Sequence, residues 1–267
     1  LLAPLCHRHP LWPRAAEWLA TGVTFPSVPL PEAERLADLD VMLARGNHQS
    51  AKQRAPTLEK MMCSEVLHGW QLPLPPSAAR LIPHAIIAPM GLVEQATINE
   101  HGEIVDKLRV THDQSFNPVK GTCRSVNDRV HRERLTPCLF GRALLRHVHQ
   151  IVALRYRHPT EVILQSKVDW KSAYRRLHNA PATAVSAMVL VGSFLLVALR
   201  LTFGGAPNPS RWSDLSEIAC DLSNDLARNP AWYPQRPLPP LPNHLPPHPL
   251  LHPPTIPLPP AHPPSAP

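Results

Sequence analysis

Paired cysteines are missing from this 267-residue chain. Its five cysteines, Cys6, Cys63, Cys123, Cys138 and Cys220, are odd in number, widely scattered and contain no C-x-x-C pair. That spacing argues against both a zinc ligand set and a disulfide framework, and it suits an intracellular, reducing compartment. The thiols are then expected as small buried apolar side chains. Glycine is sparse, with ten residues against 35 prolines, and the prolines crowd toward one end. Charge is absent from Thr183 to Leu199, and no Asp or Glu follows Asp225.

The uncharged run raises a single-span membrane protein as one reading. About seventeen apolar residues barely cross a bilayer as a helix, and Arg175, Arg176 and Arg200 flank them. Gly192-Ser193 divides the run, however, and Val185, Val189, Val191 and Val197 favour strands. Two buried strands joined by a Gly-Ser turn are therefore expected, and a membrane partner is not.

What is present in excess is positive charge. Lys and Arg number 27 against 20 Asp and Glu, a net charge of +7, with sixteen His in addition. Such a balance favours a polyanionic partner, nucleic acid or an anionic membrane surface. Hydrophobic residues at 43% suffice for a core.

Residues 1–30 are a proline-punctuated lead-in, and 31–92 form a helical N-terminal region. Pro31 suits a first helical turn, Leu36, Leu39, Met42 and Leu43 repeat at helical spacing, and Gly46 supplies a stop. A second helix is expected from Thr57, as cap, to Gly69. Between them Arg45, Asn47, His48, Lys52 and Arg54 read as a solvated basic connection or a nucleic-acid contact. Ile82 to Leu92 reads as an edge strand or extended segment. Gln95 to Ile98 and Ile104 to His112 flank Asn99-Glu100-His101-Gly102, turn chemistry that predicts a β-hairpin. In the returning strand Leu108 and Val110 share one face, and Lys107, Arg109 and Thr111 share the other. Two cations on one exposed hairpin face can close onto a triphosphate, with Arg able to chelate two oxygens at once.

Thr136-Pro137 predicts the opening of a helix whose apolar stripe includes Leu144, Val148, Ile151 and Val152. Val162-Ile163-Leu164 then reads as a buried strand that ends in Lys167-Val168-Asp169-Trp170-Lys171-Ser172-Ala173-Tyr174. Taken alone, Asp169 is a turn or cap residue. With Lys167, Lys171, Arg175 and Arg176 around it, a carboxylate there also suits a divalent cation held near phosphates. Ser210 is a candidate N-cap for a helix marked by Trp212, Leu215, Ile218, Leu222 and Leu226. On it Asp214, Glu217, Asp221 and Asp225 are expected to be solvated or capping.

Three blocks in order, Lys107 to Asp113, Asp169-x-x-x-Ala173-Tyr174 and Leu201-x-Phe203-Gly204-x-x-x-x-Pro209, resemble the reverse transcriptases of retroelements. Ser125-Val126-Asn127 is similar to the segment that follows the fingers hairpin there. The resemblance spans roughly residues 30 to 230 and implies an α+β fold, right-hand polymerase-like fingers and a truncated palm over 93–233. It further implies an RNA-directed DNA polymerase acting on a nucleic-acid template and primer with a nucleoside triphosphate. Asp169 would be the catalytic carboxylate, holding Mg²⁺ together with the Val168 carbonyl. Lys107 and Arg109 would grip the triphosphate, Tyr174 would stack under the sugar and exclude a 2′-hydroxyl, and Phe203 and Gly204 would line the nucleotide pocket. The family's third palm motif, aromatic-x-Asp-Asp, is expected after the helix of Trp212, where this chain carries proline instead. The resemblance therefore implies a catalytically incomplete domain, as a truncated or frameshifted retroelement relic would be. The alternative is a non-catalytic basic module that binds nucleic acid or an SH3 domain.

About sixteen of the last 37 residues are Pro. Residues 234–267 are accordingly expected to be a disordered polyproline tail. Within it Arg236 to Pro242 fits the R-x-x-P-x-x-P pattern that SH3 domains read.

Overall fold

Strand pairing in this protein brings together segments more than a hundred residues apart, and that pairing positions the candidate site. The computed structural model describes residues 6–7, 9–99, 101–138, 140–164 and 170–228. Along the chain run α1 (Trp12–Thr21), α2 (Glu32–Arg45), α3 (Gln49–Lys52), α4 (Ala55–Leu67), β1 (Gln71–Leu74), α5 (Ala78–Leu81), β2 (Met90–Ile98), β3 (Ile104–His112), α6 (Phe140–Arg157), α7 (Pro181–Val185), β4 (Val189–Val191), β5 (Phe194–Ala198) and α8 (Asn208–Arg228). Short 3-10 turns lie at Arg132–Arg134 and Ala173–Arg176. The fold is a mixture of α and β, as expected.

The chain divides into two compact units, one of Glu17–Leu135 with Ser172–Pro209, the other of Leu1–Ala16, Thr136–Lys171 and Ser210–Pro267. In the first, α2 follows Pro31 with Glu32 and Glu34 in its first turn and Arg45 in its last, the order that its dipole favours. Gly46 ends it at φ +66, its N–H donating to the Met42 carbonyl at 2.9 Å. Helix α4 starts at Ala55, two residues before the expected cap Thr57, because Pro56 is tolerated in a first turn where its missing N–H is not needed.

The uncharged run resolves into a short helix and two strands. Pro181 opens α7, and β4 and β5 pair antiparallel around Gly192 at φ +54. The two-strand expectation holds, with Thr183 to Val185 helical instead of extended. No helix among the described residues is long and apolar enough to cross a membrane. Strand β5 also pairs with β1, giving the order β1-β5-β4. Alternation along β5 sends Leu195 and Val197 into a core with Leu39, Met42 and Met188, and Leu196 into a second core with Leu58, Met62 and Met90. Both sheet faces are thus covered.

Strands β2 and β3 form the expected hairpin, with Met90 opposite His112 and Ile98 opposite Ile104. Of Ile82 to Leu92, expected as an edge strand or extended segment, Pro83 and His84 form a turn, Ile87 makes a single parallel bridge with Met188, and Met90 to Leu92 open β2. Asn99 closes the turn, its side-chain oxygen accepting from the His101 and Glu103 N–H groups at 2.9 Å each. The basic connection after α2 is not simply solvated. Asn47 donates to the Leu190 carbonyl at 2.7 Å and accepts from the Met90 N–H at 2.9 Å, and the Arg45 guanidinium stands 4.1 Å from the Phe116 ring centroid. These contacts hold the start of β2 against β4.

In the second unit, Ile218 and Leu222 of α8 pack with Cys6 and Ala15. Helix α8 begins at Asn208, ahead of the expected cap Ser210, since Pro209 fits the first turn. Asp214 and Asp221, expected to be solvated, are buried. Arg14 pairs with Asp214 at 2.5 Å, and His9 contacts Asp221 at 3.2 Å. Burial raises the Asp214 pKa while the neighbouring Arg14 pulls it back.

Two further expectations fail in this unit. Helix α6 starts at Phe140 rather than at Thr136, and Val148 and Val152 of its expected stripe are exposed. Val162-Ile163-Leu164 is not a strand. Val162 and Leu164 are 82% and 88% exposed, and Arg155 instead turns the chain by donating to the carbonyls of Pro159 and Glu161 at 3.0 Å each. Three apolar residues without a neighbouring strand have no ladder to join. Of the cysteines only Cys6 is buried, while Cys63, Cys123, Cys138 and Cys220 are exposed. The proline-rich segment 234–267, with the Arg236 to Pro242 pattern, lies outside the described residues.

Candidate functional site

The returning strand β3 alternates as its sequence predicts, with Lys107 and Arg109 exposed and Leu108 and Val110 half-buried. Neither cation forms an ion pair with another described residue. Beyond the strand the chain turns inward. His112 is buried, Gln114 donates to the Thr202 hydroxyl at 2.8 Å, and Asn127 reaches the Gly204 carbonyl at 2.7 Å. The same Asn127 side chain accepts from the Ala206 N–H at 2.7 Å and donates to the Ser115 hydroxyl at 2.9 Å. One amide therefore clips the Phe203-Gly204 loop to the segment that follows the hairpin.

Gly204 is required where it stands. Its φ is +105, and a Cβ there would lie 1.9 Å from the His112 carbonyl oxygen. With the backbone that close, Leu201 and Thr202 are buried and Phe203 turns outward, 57% exposed. Burial, with a smaller contribution from the charge of Arg175, pushes the His112 pKa down to about 3. The imidazole beneath this loop is neutral at physiological pH.

Tyr174 stands on the 3-10 turn Ala173–Arg176, which follows Ser172 at φ +54. The next residue anchors the turn. Arg175 donates to both carboxylate oxygens of Glu65 at 2.6 and 2.7 Å and to the Leu201 carbonyl at 2.9 Å. Gln71 donates to the same carboxylate at 3.0 Å. Both Arg175 contacts to Glu65 come from the one nitrogen Nη2, and with side chains 10% and 19% exposed the pair is charge-assisted and partly desolvated. The Tyr174 and Phe203 rings lie 5.1 Å apart between centroids.

Lys107, Arg109, Tyr174 and Phe203 line one cleft of about 300 Å³, with Leu108, Val110, Met61, Glu65, Trp70 and Arg175. Gly204 lies next in the chain to its wall. Asp169 and Val168 lie outside the described residues. Sequence reasoning missed Met61, Glu65 and Trp70, which come from the helical N-terminal region and not from the segments that carry the resemblance. One signal was available: Glu65 occupies the same helical face as Leu58, Met61 and Met62, where a carboxylate must find a buried cation.

Chemically, the cleft is lined by two exposed cations and two aromatic rings, groups suited to phosphate oxygens and to a flat ring. A metal centre is a different matter. No group of three His, Cys, Asp or Glu suited to a metal occurs among the described residues. The carboxylate that lines the cleft, Glu65, has both oxygens committed to Arg175. Among the described residues the cleft thus presents no uncommitted carboxylate to a Mg²⁺ ion.

No family model matches the chain, and neither a curated protein nor a solved structure is found to be similar to it.

Proposed function

We propose that this chain is a reverse transcriptase-like domain whose cleft binds a nucleotide. The phosphates would lie on Lys107 and Arg109, and the sugar and base against Tyr174 and Phe203. The observation that supports the reading is convergence. Four residues singled out by motif, drawn from three segments spread over about a hundred residues, line one cavity of about 300 Å³. Arg109 presents a planar fork to phosphate oxygens, Lys107 adds a point charge, and the paired rings offer a face for stacking. Binding needs only these groups. Nucleotidyl transfer to a primer on a nucleic-acid template, the activity of the family it resembles, would further require Asp169 and partners beyond the described residues.

The test is equilibrium binding of a fluorescent dATP analogue to the full chain and to the Lys107→Ala/Arg109→Ala variant. Charge-assisted hydrogen bonds contribute about 1.5–3 kcal/mol each, so losing both cations should weaken binding by roughly a hundredfold or more. Both positions are exposed, so the fold should be unaffected. Equal affinity for wild type and variant, or no binding by either, would overturn the proposal. Primer extension on an RNA template, compared with Asp169→Asn, asks the separate question of catalysis, and no extension is expected from either chain.

A further inference from the structure

Resting on the nucleotide-binding reading, we infer that Glu65, on a helix outside the segments that carry the resemblance, is a positioning residue. Through Arg175 it sets the aromatic wall of the cleft. The turn that bears Tyr174 is one 3-10 turn entered through a left-handed Ser172, with local backbone bonds from the Arg175 N–H to the Ser172 carbonyl at 2.9 Å and from the Leu177 N–H to the Tyr174 carbonyl at 3.2 Å. Just beyond it the Leu177 carbonyl accepts the Leu201 N–H at 3.1 Å. Arg175 adds a side-chain tie, with Nη2 on both Glu65 oxygens and Nη1 on the Leu201 carbonyl two residues before Phe203.

Glu65 is the fixed end of this tie. It projects from α4, whose Leu58 and Met62 are buried in the core under β4 and β5, and Gln71 of β1 holds its second oxygen. The guanidinium is rigid and planar, so Nη2 on the carboxylate and Nη1 on a carbonyl together link helix, turn and loop at fixed distances. Tyr174 is the residue before Arg175 and Phe203 stands two residues after Leu201, with the rings 5.1 Å apart. The same contact commits the Arg175 charge to Glu65, which leaves phosphate recognition to Lys107 and Arg109.

The two halves of the cleft are therefore separable. Phosphates read the hairpin cations, and the nucleoside reads the wall that Glu65 positions. The experiment measures binding of dATP and of inorganic tripolyphosphate, in EDTA, to wild type, to Glu65→Gln and to the double variant Glu65→Leu/Arg175→Met. The double variant removes both charges together and fills their space, so it leaves no unpaired buried charge to unfold the chain. Wild type should prefer dATP to tripolyphosphate. In both variants dATP binding should weaken about tenfold while tripolyphosphate binding stays within a factor of two. A merely structural role would weaken both probes together. That result, or an unchanged preference for dATP in the double variant, would overturn the inference. Wild type binding neither probe would instead remove the nucleotide-binding reading, and this inference with it.

Discussion

Replacing Gly204 by alanine tests the closest backbone approach in the candidate site. At φ +105 any side chain strains the backbone, at a cost of about 1–3 kcal/mol. The added methyl would also lie 1.9 Å from the His112 carbonyl oxygen and 3.0 Å from its carbon. That obstacle is main chain at the end of β3, and its oxygen already accepts the Gln114 N–H at 3.0 Å. It cannot rotate away as a side chain would, so overpacking adds about 1–3 kcal/mol. The total, roughly 2–6 kcal/mol, is a large part of the about 5–15 kcal/mol that holds a typical domain together. At about 2–4 °C per kcal/mol for a chain of this size, the thermal midpoint should fall by roughly 5–20 °C. Gly102→Ala is the control. Gly102 has φ +81 with nothing within 4 Å of its added carbon, so it carries the backbone term alone. The assay is thermal unfolding of the three full-length chains followed by circular dichroism. If Gly204→Ala melts with Gly102→Ala, the close approach of loop and strand is wrong.

Two other expectations follow from the groups that pack against the Gly204 loop. His112 is neutral when folded, its pKa lowered from 6.5 to about 3 chiefly by burial, so its contribution to stability is fully present above about pH 6.5 and is lost as pH falls toward 3. By pH 5 the loss from this group is about 2 kcal/mol. Urea unfolding at pH 7 and pH 5 should show it in wild type and not in His112→Met, and identical pH dependence in the two chains would refute the assignment. Asn127→Ala removes the clip to Gly204, Ala206 and Ser115 and strands the Ala206 N–H. Urea unfolding should show a loss of about 2–4 kcal/mol, and a change below about 0.5 kcal/mol would mean the clip carries nothing.

Much of the local architecture was legible in the amino-acid order. The helix after Pro31, the stop at Gly46, the hairpin about Asn99 and the strands on either side of Gly192 all rest on contacts between near neighbours. Apolar spacing and turn chemistry report such contacts directly. Where an expectation depends on a distant partner, the structure departs from it. The three apolar residues at Val162 suggested a strand, but a strand exists only where another can pair with it. The carboxylates of Asp214 and Asp221 looked solvated, because nothing in their own helix announces Arg14 or His9.

The candidate site divides along the same line. By itself the sequence determined which residue types could recognise a nucleotide, Lys107 and Arg109 on one strand face and Tyr174 and Phe203 in two later motifs. It also determined the turn-forming glycine between Phe203 and the helix beyond. Only the tertiary structure decided that the four side chains share a cleft, that Glu65 takes the charge of Arg175, and that Gly204 lies against His112. The reason is physical. Periodicity and propensity act over a few residues, whereas a salt bridge between Glu65 and Arg175, 110 positions apart, depends on the tertiary fold placing α4 and the Tyr174 turn at bonding distance, and no local pattern encodes that distance.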